Sequence, residues 1–116
     1  MTEQSGSLEV IKLFDIPKFS LNKFYSGRHW WIRKQLKDDM VQVVRAQTTR
    51  IITKPCEVEY VFTWKTRIMD PSNTVAMVKM IEDCIFADDS YKIVKKISME
   101  CQKGLTDSVL ILITYV

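Results

Sequence analysis

Four aspartates fall within residues 67–90, RIMDPSNTVAMVKMIEDCIFADDS, and they gather where the chain changes character. Asp70 follows a strand-like run, Asp83 lies on a helical pattern, and Asp88 and Asp89 stand together just beyond it. Carboxylates brought together from different elements are what a hard divalent cation needs, because Mg²⁺ takes oxygen ligands and can activate water for phosphodiester hydrolysis. The same residues have a structural reading. Asp70 before a helix N-terminus favours its dipole, and Asp88-Asp89 suits a turn. Spacing alone leaves both readings open.

Other chemistry has less to work with. His29 is the only histidine, so a multi-histidine metal site is excluded. Cys56, Cys84 and Cys101 are three and widely spaced, which points to reduced, mostly buried thiols in a cytoplasmic protein and away from a zinc knuckle or disulfide framework. No run approaches the roughly 18 apolar residues of a membrane span. The polar start, MTEQSGS, lacks the pattern of a signal peptide and is expected to be a flexible tail over residues 1–6.

The net charge is only +3, but its distribution is uneven. Lys23, Arg28, Arg33, Lys34, Lys37, Arg45, Arg50 and Lys54 load the first half, and Lys92, Lys95, Lys96 and Lys103 form a second cluster. Such a surface fits phosphate binding and also fits an ordinary solvated face.

The elements that must carry these residues are readable from periodicity. SLEVIKLFD, residues 7–15, reads as a first strand, and the aromatic-rich stretch 17–30 reads as a packed loop. Ile32, Leu36, Met40, Val43 and Val44 recur at helical spacing from Trp30 to Gln47. In CEVEYVFTWKTR, Cys56, Val58, Tyr60, Phe62 and Trp64 alternate with polar residues, as a strand with one buried face requires.

Asp70-Pro71-Ser72-Asn73 then reads as a helix start, with Ser72 or Asn73 available as a cap. Val75, Val78, Ile81 and Ile85 form the buried stripe of that helix, while Ser72, Ala76, Lys79 and Asp83 follow a neighbouring stripe. A further strand is expected in SYKIVKKISMECQ, with Tyr91, Ile93, Ile97, Met99 and Cys101 on one side. After a turn at 104–107, SVLILITYV is apolar on both faces and predicts a fully covered strand. The expected fold is therefore α+β, a single domain of order β-α-β-α-β-β, with a mixed sheet and helices packed on one face. One domain spans the whole chain, since 116 residues leave no room for two cores.

Two stretches carry a family resemblance. FSLNKFYSGRHWWIRKQLKD, residues 19–38, resembles the N-terminal motif of phage proteins similar to the RusA family of Holliday junction resolvases. DPSN through DDSYKIV, residues 70–94, resembles that family's acidic motif, an Asp-x-Asp-Asn turn opening a helix with Lys and Asp, then a paired Asp-Asp before a strand. The resemblance implies a small homodimeric, Mg²⁺-dependent endonuclease, with Mn²⁺ as a substitute, that cuts branched DNA symmetrically. It makes Asp70 and Asp89 metal ligands, with Asp88 and Asp83 as further candidates and Lys79 as the catalytic lysine of the helix. Lys23, Arg28, Arg33, Lys34, Arg67 and Asn73 become the DNA-contacting candidates. His29, Trp30, Trp31 and Tyr25 fall in the first motif, where aromatics fill a core or stack on exposed bases. Two departures stand out: Ser72 replaces the motif's second Asp, and Lys79 lies about one turn further into the helix. A catalytically inert DNA-binding module on the same scaffold is the alternative.

Overall fold

The computed structural model describes residues 7–19, 30–88 and 90–116, the side chain of Trp30 excepted. Strand β1 (Leu8–Phe14) is followed by helix α1 (Trp30–Gln47) and strand β2 (Cys56–Trp64). A 3₁₀ turn (Pro71–Thr74) runs into helix α2 (Val75–Ile85), and strands β3 (Val94–Lys103) and β4 (Ser108–Tyr115) complete the fold. The expected α+β architecture and element order are therefore present. Residues 1–6, expected to be flexible, lie outside the described residues, as does most of the 17–30 loop.

The four strands form one mixed sheet in the order β1-β4-β2-β3. β4 runs antiparallel to both β1 and β2, whereas β2 and β3 are parallel. Alternation explains the buried face. Cys56, Val58, Tyr60, Phe62 and Trp64 all point into the core, and the last three rings follow one another at 6.4 Å and 5.5 Å between centroids. Ile11 and Leu13 of β1 and Val109, Ile111 and Ile113 of β4 extend the same surface. Met40 and Val44 of α1, with Met77, Val78, Ile81 and Ile85 of α2, cover it. Both helices lie on this face.

The other face of the sheet is open. Leu8, Val10 and Phe14 are exposed there, and Leu110 and Leu112 are half-buried. The expectation that β4 is covered on both sides is thus corrected: among the described residues, no helix lies above its apolar residues on this face. β3 also differs from expectation. It begins at Val94, which leaves Tyr91 in the preceding turn and 74% exposed. A register shift between Cys56 and Glu57 makes Lys95 the extra residue, since Cys56 pairs with Val94 and Glu57 with Lys96. Beyond that shift, Ile97, Met99 and Cys101 stand opposite the inward residues of β2.

α2 is buried more broadly than one stripe, because Ala76, Met77, Met80, Glu82 and Cys84 are buried along with Val78, Ile81 and Ile85. Its start also differs. Neither Ser72 nor Asn73 caps it: Asp70 precedes a 3₁₀ turn, and the Thr74 hydroxyl donates to the Pro71 carbonyl. Asn73 N–H donates to the Asp70 carbonyl at 2.9 Å, which closes this tighter turn.

Polar contacts fix the sheet's margins. The Gln47 side chain donates to the Phe14 carbonyl and accepts from the Phe14 N–H, both at 2.7 Å, so the end of α1 occupies the edge of β1. Arg50 binds Glu9 through two hydrogen bonds of 2.6 Å and 2.9 Å, and the Tyr115 hydroxyl donates to the same carboxylate. This group joins β1, the segment after α1 and the end of β4. Arg50 holds the Glu9 carboxyl below its ordinary value, while burial pushes the Tyr115 hydroxyl up to about 12.

The framework can be tested at two points. A Cβ on Gly104 would overlap Thr63 Cγ2. Gly104→Ala should therefore lower stability by roughly 1–3 kcal/mol in urea unfolding. Thr63→Ser removes the clashing methyl and should recover most of the loss in the double variant. The second point concerns acid. Because Glu9 is depressed in the fold, its contribution is complete above the unfolded carboxyl value and is lost as pH falls through the folded one. Arg50→Gln should cost about 1 kcal/mol at neutral pH and shift the acid-unfolding midpoint, followed by circular dichroism, to higher pH.

Candidate functional site

The strand ends determine where each candidate residue falls. β2 and β3 run in the same direction, so α2 must carry the chain back along the sheet before β3 can begin. Asp70 follows the C-terminal end of β2. Asp88 precedes the N-terminal end of β3, close to the point where Ile52 bridges Phe86 and Ala87 N–H donates to the Ile52 carbonyl. A nine-residue β2 separates these two ends, a distance of about 27 Å at strand rise. Asp70 and Asp88 of one chain therefore do not meet. Asp89, expected to converge with Asp70, lies outside the described residues.

Asp70 lines a cavity of about 450 Å³ together with Lys18, Phe19, Arg67, Ile68, Met69 and Asn73. Three of the candidates, Asp70, Arg67 and Asn73, are thus brought together. The cavity forms where the loop after β2 turns into the 3₁₀ helix, and that loop is fastened from two sides. The Lys18 ammonium donates to the Arg67 carbonyl and sits 4.9 Å from the centre of the Trp64 ring. The Lys103 ammonium, at the end of β3, donates to the Thr66 carbonyl. Gly104 N–H donates to the Trp64 carbonyl and Asp107 accepts from Lys65 N–H, which ties the next loop to the end of β2 as well. Cys101 lies below this region. Burial pushes its thiol up, the Trp64 indole opposes that shift, and the Asp70 and Glu100 charges add to it.

The remaining candidates are dispersed. Lys79 and Asp83 are exposed on α2, about 8 and 13 Å of helical rise beyond Thr74. Asp83 lies near Cys84, whose thiol is raised by burial and is also influenced by Arg45 and Lys37 of α1. Asp88 accepts from Ser90 N–H at 2.9 Å, and that bond holds its carboxyl below the ordinary value. Lys34 is paired with Asp38 one turn along α1 at 2.9 Å, and Arg33 is half-buried beside it. Trp31 is exposed, so it does not fill the core. Lys23, Tyr25, Arg28 and His29 lie outside the described residues.

Lys18 and Lys103 are the residues that sequence reading did not single out here. Nothing in PKF or QKG distinguishes them from other surface lysines, since both roles depend on where the loop after β2 passes. In the cavity the side-chain oxygen donors are the Asp70 carboxylate and the Asn73 amide, a set that suits a hard cation in kind. It is short in number. Among the described residues, no three Asp, Glu, His or Cys side chains come together. Compared with protein-family models and with curated proteins, the chain matches none.

Proposed function

We propose that the protein is a metal-dependent endodeoxyribonuclease that cuts branched DNA such as Holliday junctions, in recombination, repair or phage DNA processing. The observation that carries this reading is the cavity at the C-terminal end of β2, where Asp70, Asn73 and Arg67 share one surface with Lys18. The likeness of the 19–38 and 70–94 stretches to the RusA family supplies the reaction class. Mg²⁺, bound there, would supply Lewis-acid polarisation and lower the pKa of a bound water, so that hydroxide is available to attack phosphorus. Asp70 would hold that ion, with Asn73 beside it. Arg67 would hold the phosphate by charge and by its planar donors.

One carboxylate is the low end for such a site, because Mg²⁺ is commonly held by one or two together with substrate phosphates. The sheet topology keeps the turn containing Asp88 at the other end of the same chain. In this reading, the additional carboxylates at Asp70 come from the Asp88-Asp89 turn of a second copy. A two-fold dimer also matches the symmetry of a four-way junction and supplies two cuts. The exposed apolar strip of Leu8, Val10 and Phe14 beside Leu110 and Leu112 is the surface available for that association.

Ser72 favours a second reading, an inert junction-binding module, because it stands where the motif's second carboxylate would be. Mg²⁺-dependent nicking of a synthetic four-way junction separates the two. Asp70→Asn and Asp89→Asn should each abolish cleavage and leave junction binding intact. Wild-type cleavage in both variants would defeat the site assignment, and absence of cleavage by the native chain would favour the inert module.

Mixing the two inactive variants provides a sharper test. If the carboxylates meet across two chains, heterodimers contain one intact site and nicking returns. If they meet within one chain, no intact site forms and the mixture stays inactive. Light scattering should show a dimer at micromolar concentration, and Val10→Glu should shift it towards monomer.

A further inference from the structure

Lys18 does more at the cavity than fasten a loop. Its ammonium carries three N–H donors, one of which is used on the Arg67 carbonyl, while the Trp64 ring holds the charge from one side at 4.9 Å. Trp64 is itself fully buried and stacked on Phe62 at 5.5 Å, so the surface beneath the ammonium is fixed. The lysine therefore has a defined position at the cavity with donors remaining. Arg67 lines the same cavity, and no side chain among the described residues accepts from its guanidinium. Among the described residues, two cations thus share a pocket with a single carboxylate, Asp70.

We propose that Lys18 and Arg67 form a seat for one phosphodiester anion of DNA, with Lys18 preset by the Trp64 ring and the Arg67 carbonyl. This inference rests on the nuclease reading for the identity of its ligand and extends it to a residue outside both motifs. The ammonium's place on the ring limits the entropy lost when phosphate binds, because the long side chain is already ordered. Asp70 opposes an anion in the same space. Neutralising it should tighten DNA binding when no metal is present.

The test measures junction binding by fluorescence anisotropy in EDTA over a range of salt concentrations, so that cleavage does not enter the readout. Lys18→Gln should weaken binding about tenfold at low salt. It should also reduce the slope of log K against log salt by about 0.9, the loss of one phosphate contact. Lys18→Arg should retain the slope, and Asp70→Asn should bind more tightly than the native chain. Lys103→Gln is the decisive control. Lys103 fastens the same loop through Thr66 but does not line the cavity, so its loss should leave the slope unchanged.

Equal effects from Lys18→Gln and Lys103→Gln would reduce Lys18 to a loop fastener and overturn the seat. An unchanged slope in Lys18→Gln would overturn it too, even if the junction is cleaved. A lowered slope with no cleavage by the native chain would keep the seat and defeat only the enzyme. Tight binding of inorganic phosphate without any DNA response would assign the pocket to a free anion and likewise overturn the proposal.

Discussion

The connection from β3 to β4 has to step across the end of β2, and much of the structure depends on that crossing. β2 lies between the two strands that the 104–107 loop joins, so the loop passes directly over its last residues. Only a residue without a side chain fits there, because the backbone of Gly104 comes within bonding distance of the Trp64 carbonyl and leaves no room beside Thr63. Asp107 then secures the far side of the crossing. Its carboxylate accepts from Lys65 N–H, and its carbonyl accepts from Asp15 N–H, where β1 ends in a left-handed residue. Aspartate tolerates that conformation better than most side chains. Four chain segments are tied at one end of the sheet, and the loop carrying Arg67 and Asp70 emerges from that knot.

The parallel pairing of β2 and β3 has a second consequence, for charge. A helix that returns the chain along the sheet carries its two flanking segments to opposite ends, so a motif contiguous in sequence is divided in space. The aspartate in the loop after β2 and the turn that precedes β3 occupy opposite ends of β2. A site needing both has to be assembled from more than one chain, and the exposed leucine, valine and phenylalanine side chains on the open sheet face give association something to bury. The same topology accounts for the lysines that fasten the loop leading to Asp70. Lys18 comes from the segment after β1 and Lys103 from the end of β3, both of which finish beside β2 because their strands lie in the same sheet.

The sequence patterns that resolved well were those with one strong period. The alternation in β2 and the helical spacing in α1 each describe a single buried face; α1 has the expected bounds, and β2 starts as expected at Cys56 but ends at Trp64, before the Lys65-Thr66-Arg67 end of the expected stretch. The patterns that misled were apolar on more than one side. SVLILITYV looked like a strand covered twice, but its outward Leu110 and Leu112 are only half-buried and face no helix among the described residues. In the strand from Val94, the extra residue at Lys95 breaks the period, so the alternation counted from Tyr91 starts in the wrong place. The capping expectation at Ser72 failed for another reason: a 3₁₀ turn closes through Asn73 N–H and the Asp70 carbonyl, and it leaves Thr74 to bond back to Pro71. Of the cavity, the sequence indicated Asp70, Arg67 and Asn73. It held no signal for Lys18, whose role comes from the position of a buried tryptophan 46 residues away in the chain.

Charge balance gives the cavity a direction of assembly. A pocket with several carboxylates repels phosphate until a cation has neutralised them, so metal must enter first. Among the described residues here, one carboxylate faces two cations, a local balance that favours an anion. In the nuclease reading, DNA could therefore dock on each chain before an ion is bound, and Asp70 would hold the ion together with phosphate oxygens of the substrate. Such an order suits a site whose own oxygen ligands are few, because Mg²⁺ is commonly held by one or two carboxylates together with substrate phosphates. Ser72 is then less a defect than a shift in where the negative charge resides. In that reading, charge that another arrangement would build into the protein would be brought by the substrate, and cleavage would be conditional on the DNA being seated.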